Sequence, residues 1–264
     1  MTCHRFERWI VPYASGAVVP PEAAAHIEGC ESCRKLVAAM REPTASDRPS
    51  PQQLEQIQAR LLADLKPVKP LPRSGWFSLA FLLVAAVAVA IGVAHLGTAG
   101  WQALGAFRRV AVFLVVEGGL LGLAILVAGQ MVPGNRALVP PGAAVVAALG
   151  LPAAIFATLF EFHQEQTFVA TGLMCLEIGL ACAVPVAVVC WLILRKGVVL
   201  NPVAAGALTG LLAGLAGLTL LEIFCPNPDK YHILVWHMGA ALVSTIGGAA
   251  IGRIVERFQW RGNP

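Results

Sequence analysis

Six long apolar stretches fill most of the chain after residue 75, and they limit its possible folds more than any other feature. They cover residues 76–96, 109–131, 138–160, 168–194, 202–224 and 232–252. At 1.5 Å per residue, each stretch is long enough to cross about 30 Å of hydrocarbon as a helix. The sequence therefore predicts an all-α protein whose larger part is a six-helix transmembrane bundle.

Charged residues are concentrated before these stretches. Residues 1–75 hold ten of the nineteen Lys and Arg and eight of the fifteen Asp and Glu. This distribution predicts a soluble segment ahead of a lipid-embedded one. We expect a head over residues 1–40, a linker with an amphipathic helix over 41–75, a transmembrane domain over 76–255 and a cytoplasmic tail over 256–264.

The basic residues also predict an orientation, because cytoplasmic loops of membrane proteins are enriched in Lys and Arg. If the N-terminus is cytoplasmic, nine basic residues near the segment ends lie inside and three lie outside. The three outside are Arg108, Arg109 and Lys230. We therefore expect both termini in the cytoplasm. The basic residues sit at segment ends rather than in one patch, so direct nucleic-acid binding is not expected.

A candidate metal site lies in the head. Cys30 and Cys33 flank two residues, and His26 precedes Cys30 by one helical turn, so the three side chains can reach one ion. Cys3 would complete a tetrahedral set, with the neighbouring His4 as the alternative fourth ligand. Thiolates with an imidazole favour Zn²⁺. The alternative is that Cys30 and Cys33 form a redox pair.

The head resembles a known family. The resemblance rests on Met1-Thr-Cys3, Tyr13-Ala-Ser-Gly16 and His26-x3-Cys30-x2-Cys33-Arg34, which resemble the zinc-containing anti-sigma factor domain. Members of that family hold a sigma factor of the extracytoplasmic-function type in an inactive complex. The resemblance implies a small zinc-bound helical head, a sigma-factor partner and a place at the bacterial inner membrane.

A second feature of the soluble part is an apolar stripe at helical spacing within residues 52–65. Its members are Leu54, Ile57, Leu61 and Leu65. The spacing predicts an amphipathic helix. By analogy with the family, the stripe would add to the sigma-binding surface. The alternative is a helix that lies at the membrane interface.

Several ionisable residues fall inside the apolar stretches, namely Glu117, Glu177, Glu222 and His237. Such residues are costly in lipid and are expected to face the bundle interior. For Glu117 we expect an ordinary hydrogen bond between helices. Glu177 should point away from the cysteines of its own helix.

The cysteines of the membrane part divide into two kinds. At 100° per residue, Cys175, Cys182 and Cys190 share one face of the fourth helix. We expect Cys182 and Cys190 to act as small apolar packing residues. Cys175 and Cys225 both lie near the outer ends of their helices and can approach each other there. Whether they form a disulfide is left open by the sequence.

A second resemblance involves the same region. Gly172-Leu-Met-Cys175-Leu-Glu177, Leu194-Arg-Lys-Gly197 with Asn201-Pro202, Leu221-Glu-Ile-Phe-Cys225-Pro226 and Trp236-His237 resemble the six-span negative regulators of sigma F. The resemblance implies an anti-sigma factor whose two cysteines, Cys175 and Cys225 here, sense oxidants or heavy metals from the periplasm. In the main hypothesis, the outer site around Cys175, Cys225, His232 and His237 would sense thiol oxidation or metal ions.

These observations lead to one main hypothesis, a membrane-bound anti-sigma factor that is not an enzyme and has no catalytic residues. One alternative is a transporter or membrane enzyme that uses Glu177, Glu222 and His237 as a proton or metal path. Another is a direct redox or metal sensor whose head docks a different partner.

Overall fold

The computed structural model describes residues 3, 6–40, 50–64, 72–132, 139–163 and 167–261. Contacts divide the chain into two compact units, Met1–Lys69 and Pro70–Pro264. Within the described residues every regular element is a helix and there is no strand, so the predicted all-α class is confirmed.

Three short helices pack together in the first unit: α1 (Glu7–Ala14), α2 (Pro21–Gly29) and α3 (Glu31–Met40). Pro21 begins α2 at a position where a missing N–H costs nothing. Among the described residues of this unit only six apolar side chains are buried, which are Phe6, Ile10, Ala23, Ile27, Cys33 and Val37. A core of this size needs additional stabilisation to fold.

The predicted amphipathic helix is confirmed as α4 (Pro51–Asp64). Its start is fixed by a reciprocal pair of hydrogen bonds, since Ser50 Oγ accepts from the Gln53 N–H at 3.2 Å and Gln53 Oε1 accepts from the Ser50 N–H at 2.8 Å. This arrangement is a capping box, which satisfies N–H groups that a helix start leaves open. At least half of the surface of each of Leu54, Ile57 and Leu61 is exposed. Leu65 lies outside the described residues.

The second unit contains six helices that are long and apolar enough to cross a membrane, as predicted. The spanning segments are α5 (Ser74–Leu96), α7 (Ala106–Gly129), α8 (Pro141–Leu159), α9 (Phe168–Leu194), α10 (Pro202–Phe224) and the stretch Lys230–Phe258. The last stretch comprises α11 (Lys230–His232), a π-helical turn (Ile233–His237) and most of α12 (Met238–Arg261). A short helix that the sequence did not predict, α6 (Ala99–Ala103), connects α5 to α7. These are the helices of a multi-pass membrane protein.

Helix α10 is the centre of this unit. In its most apolar window 78% of the residues are buried, against at most 33% for the other five spans. Close packing against α12 requires glycine, because a Cβ atom at Gly210 would lie 2.1 Å from the Ser244 carbonyl oxygen. Small residues let transmembrane helices approach backbone to backbone in this way. The packing fixes how the end of α10 meets the start of the last span.

Arg108 and Arg109, the pair that disagrees with the predicted orientation, lie in the first turn of α7. Arg109 donates to the carbonyl oxygens of Leu104 at 2.7 Å and Gln102 at 3.1 Å. Arg108 lies 3.7 Å from the Glu161 carboxylate. Both cations therefore have local partners where the spans end.

The segment between α10 and the last span is held by Asp229. Its carboxylate accepts from the His232 N–H at 2.8 Å, which caps α11, and from the His163 N–H at 2.6 Å. The Lys230 N–H donates to the Glu161 carbonyl at 3.0 Å. These bonds tie the segment between α8 and α9 to the start of the last span, next to Cys225.

Candidate functional site

The structure brings together two separate groups of Cys and His residues. The first, the head cluster, is Cys3, His26, Cys30 and Cys33. The second, the span-end cluster, is Cys175, Cys225, His232 and His237. In each cluster the four possible ligand atoms all lie within 4.8 Å of one another. Both clusters consist of the residues that the sequence singled out.

The head cluster is built around the turn between α2 and α3. His26 lies in the last turn of α2, Cys30 occupies the turn itself, and Cys33 lies in the first turn of α3. The Cys3 and Cys30 sulfurs are 3.6 Å apart. Two thiolates on a tetrahedral zinc with Zn–S bonds of about 2.3 Å lie about 3.8 Å apart, so the spacing fits.

Two further observations suit a ligand role for this cluster. His26 Nε2 is buried without a hydrogen-bond partner among the described residues. Its ring stacks on Phe6 with centroids 4.6 Å apart, which fixes its orientation. Of the two predicted fourth ligands, Cys3 joins the cluster, and His4 lies outside the described residues.

The thiols of the head cluster differ in acidity. The backbone N–H of Cys33 is the main cause of a lowered pKa at Cys30, and hydrogen bonds from Cys3 and Cys33 act in the same direction. Burial is the main cause that raises the pKa of Cys33 to about 11. Cys30 therefore ionises more readily than Cys33, and a thiolate is the form that binds metal.

The span-end cluster joins residues from three parts of the second unit. Cys175 lies in α9, Cys225 directly follows α10, and His232 and His237 belong to the start of the last span. The Cys175 thiol donates to the Cys225 sulfur at 3.6 Å, and Cys225 Sγ lies 3.7 Å from His232 Nε2. All but Cys225 are buried.

The surroundings of the span-end cluster are closely packed. A Cβ atom at Gly100 of α6 would lie 2.4 Å from the Cys225 carbonyl oxygen, so only glycine permits this approach. A Cβ atom at Gly172 would lie 2.0 Å from the Trp236 indole nitrogen. The hydrogen bond from Cys175 lowers the pKa of Cys225, and the imidazoles of His232 and His237 add to this, while burial opposes it.

A family model described as negative regulator of sigma F matches residues 61–258, about three quarters of the chain. The chain belongs to this family. No curated protein and no solved structure gives a match. Membership in the negative regulators of sigma F supports an anti-sigma role and a sigma-factor partner for this chain.

The matched region contains one of the two clusters and not the other. The span-end cluster lies inside the region shared with the negative regulators of sigma F, whereas the head cluster, between Cys3 and Cys33, lies before it. The head is therefore an addition to what this family model describes. Its resemblance to the zinc-containing anti-sigma domain stays a prediction.

Other predictions about the membrane residues can be compared with the structure. The Thr219 hydroxyl donates to Glu117 at 3.0 Å, which confirms the predicted hydrogen bond between helices. Cys182 and Cys190 are buried as packing residues. Glu177 points away from Cys175 as expected, but it is exposed rather than turned into the bundle. The expectation that it faces the interior is wrong, since Leu173, Val184 and Val188 on the same side of α9 are exposed as well.

Two features of the span-end cluster were not predicted. Glu222 Oε1 lies 2.8 Å from His237 Nδ1, so this carboxylate belongs to the surroundings of the cluster. The π-helical turn before α12 also has no simple sequence signal. The sequence singles out Glu222 as an intramembrane acid and as part of the alternative proton or metal path, but not its contact with His237, because the fifteen residues between them span a helix end and a loop.

Proposed function

We propose that this chain is a membrane-bound anti-sigma factor that sequesters a sigma factor of the extracytoplasmic-function type at the cytoplasmic face of a bacterial inner membrane. It acts by binding and not by catalysis. Membership in the negative regulators of sigma F is the observation on which the proposal depends. The bias of Lys and Arg supports cytoplasmic termini.

In this proposal Zn²⁺ on Cys3, His26, Cys30 and Cys33 orders the head. Three short helices with six buried apolar side chains cannot supply much stability, and all four ligands lie on or beside those helices. The ion would join α2 to α3 and hold Cys3 against them. The folded head then presents a defined surface to the sigma factor.

Helix α4 is proposed to extend that surface. Its stripe of Leu54, Ile57 and Leu61 is exposed to solvent. Helices that lie on membranes are usually rich in Lys and Arg on the polar face. The described side chains of α4 include a single basic residue, Arg60, so the stripe suits an apolar protein groove better than a lipid surface.

The span-end cluster is proposed as the signal site. Two thiols and two imidazoles within reach of one another can react with an oxidant or bind a metal ion. A signal can release the sigma factor only if it binds one state of the protein better than another. We propose that reaction at Cys175 and Cys225 favours the state with lower affinity for the sigma factor.

The test is co-purification of the full chain, in detergent, with each extracytoplasmic-function sigma factor of the host. We expect one of them to be retained by the zinc-loaded protein. Ile57→Asp should abolish retention, because it places a charge in an apolar contact. The matched control is Ala59→Asp, which puts the same charge about 200° away on the same helix.

Two results would contradict the proposal. If the zinc-loaded chain retains no sigma factor, the anti-sigma role is wrong. If Ala59→Asp weakens retention as much as Ile57→Asp, the stripe is not the contact surface.

Addition of peroxide or Cd²⁺ to the complex tests the signal site. The sigma factor should be released from the unaltered chain and stay bound to Cys175→Ser.

A further inference from the structure

Glu222 is a carboxylate inside a membrane-spanning helix, where an acid is costly unless something requires it. It lies in the last turn of α10 and is only 6% exposed. Its partner is His237, whose Nδ1 lies 2.8 Å from Glu222 Oε1. The pair occupies the interior of the bundle at the same end as Cys225.

The other nitrogen of His237 is the informative one. Nε2 is buried without a hydrogen-bond partner among the described residues, in a side chain that is 1% exposed. His237 is also one of the four residues of the span-end cluster, each of which has a possible ligand atom within 4.8 Å of those of the others. An imidazole that donates Nδ1–H to a carboxylate presents its Nε2 lone pair to an ion, and metal-binding histidines almost always have such a partner.

The π-helical turn explains how both histidines reach the same point. Residues five apart on an α-helix differ by about 140° in direction, so His232 and His237 would point to different sides. A π turn closes over about five residues and returns them to one side. The π turn covers Ile233–His237, so it starts directly after His232 and sets the direction of His237 relative to it. Such turns are frequent at functional sites.

We propose that the membrane unit binds one divalent ion of the zinc and cadmium class through Cys175, Cys225, His232 and His237, and that Glu222 positions His237 for this ion. The proposal rests on the proposed function, in which the same cluster receives the signal. Beyond that function, it assigns all four side chains as ligands of one ion, gives the class of that ion, and includes the carboxylate that contacts His237.

Charge supports this ligand set. Two thiols lose their protons to solvent as the ion binds, so a divalent cation with two thiolates and two neutral imidazoles has no net charge. The ion and its four ligands therefore add no charge beside the Glu222 carboxylate, and a buried position at the end of a membrane bundle tolerates a centre of this kind. Soft thiolates with imidazole select zinc or cadmium over magnesium or calcium. Cys225 is the one member that is not fully buried, which gives an ion access.

The experiment uses the full chain in detergent with the head cluster disabled by Cys30→Ser and Cys33→Ser, so that the span-end cluster is measured alone. Co²⁺ is the probe, because thiolate ligands in a tetrahedral site give it strong visible and charge-transfer absorption. We expect one Co²⁺ per chain, displaced by Cd²⁺. Cys175→Ser and Cys225→Ser should each remove the charge-transfer band.

Glu222→Gln tests the positioning role with little change of shape. We expect a loss of 10- to 100-fold in affinity, the usual effect of removing an outer partner of a ligand, with the thiolate band retained. Glu222→Asp should restore part of the affinity. The matched control is Glu117→Gln, which alters another carboxylate of the bundle that bonds to Thr219 instead, and it should bind Co²⁺ normally.

If the chain with the disabled head binds no Co²⁺, the proposed metal site is wrong. If Glu222→Gln binds Co²⁺ with unchanged affinity, the positioning role of Glu222 is wrong. A second measurement uses a chain with no substitution in the membrane unit, so it does not depend on whether a variant folds. Bound Cd²⁺ should protect Cys175 and Cys225 from alkylation, mapped by mass spectrometry, and equal labelling with and without Cd²⁺ contradicts the site. Retention of the sigma factor is measured separately, so failure of metal binding leaves the anti-sigma role standing.

Discussion

The head cluster and the span-end cluster have closely similar geometry and are built in opposite ways. Each has a pair of sulfurs 3.6 Å apart and ligand atoms within 4.8 Å of one another. The head cluster takes three of its ligands from eight consecutive residues around one turn, in a unit whose described residues include only six buried apolar side chains. The span-end cluster takes its ligands from three segments that the packing of long helices brings together.

This difference indicates what an ion would do in each place. In the head there is little packing to hold the ligands without the ion, so binding and folding are one process. In the membrane unit, α10 is buried by its neighbours and Gly210 lets α12 pack tightly against it whether or not an ion is present. An ion there meets a formed site and can act as a signal. The predictions below test this contrast in order of decreasing effect.

The largest effect is expected from removal of one ligand in the head. Cys33→Ser in the full chain should leave α1, α2 and α3 unfolded, because structural zinc supplies apparent binding free energies of about 10–16 kcal/mol to domains of this kind. Hydrogen exchange measured along the chain checks this. We expect residues 6–40 to lose protection and α5 to α12 to keep theirs.

The matched change in the other cluster is Cys175→Ser. It should remove metal binding and leave the protection of α9 and α10 unchanged, since helix packing holds the site. Widespread loss of protection in the bundle would show that the span-end cluster is structural as well. Full protection of the head in Cys33→Ser would show that its helices need no ion, and the contrast between the two clusters would disappear.

A smaller effect is expected where helix packing alone is disturbed. Gly210→Ala places a methyl group 2.1 Å from the Ser244 carbonyl oxygen and should cost about 1–3 kcal/mol in stability, seen as a lower midpoint of thermal unfolding in detergent. Gly247→Ala, on α12, meets no atom within 4 Å and should leave the midpoint unchanged or raise it. Equal midpoints for the two variants would contradict close packing of α10 on α12.

The sequence alone predicts the head cluster well because its determinants are local. His26, Cys30 and Cys33 lie within two helical turns, so their spacing already places them on one ion. The six spans are predictable for a similar reason, since length and uniform apolarity decide whether a segment can cross lipid. The ends of α9 and α10 agree with the predicted limits of 168–194 and 202–224.

The surroundings of the span-end cluster are less predictable because they depend on tertiary packing. The contact of Glu222 with His237 forms across a helix end and a loop, and the π turn shifts the direction of every side chain after it. The same reason explains Glu177, since periodicity gives its face of α9 but not which faces neighbouring helices cover. Periodicity describes one helix at a time, while these features involve two or three.

The smallest effect concerns the polar contact between Thr219 and Glu117, which line the same cavity as Glu222 but belong to neither cluster. Thr219→Val removes the hydroxyl that donates to Glu117 at 3.0 Å and should cost about 0.6 kcal/mol, and at most about 1.7 kcal/mol, the range for hydrogen bonds between membrane helices. Thr209→Val is the control, because that hydroxyl donates at 2.7 Å to the Ala205 carbonyl of its own helix. We expect a lower midpoint of thermal unfolding for Thr219→Val than for Thr209→Val and normal Co²⁺ binding by both. Loss of Co²⁺ binding in Thr219→Val would mean that the cluster depends on polar contacts elsewhere in the bundle. Helix packing alone would then not be enough to hold the ligands in place before the ion binds.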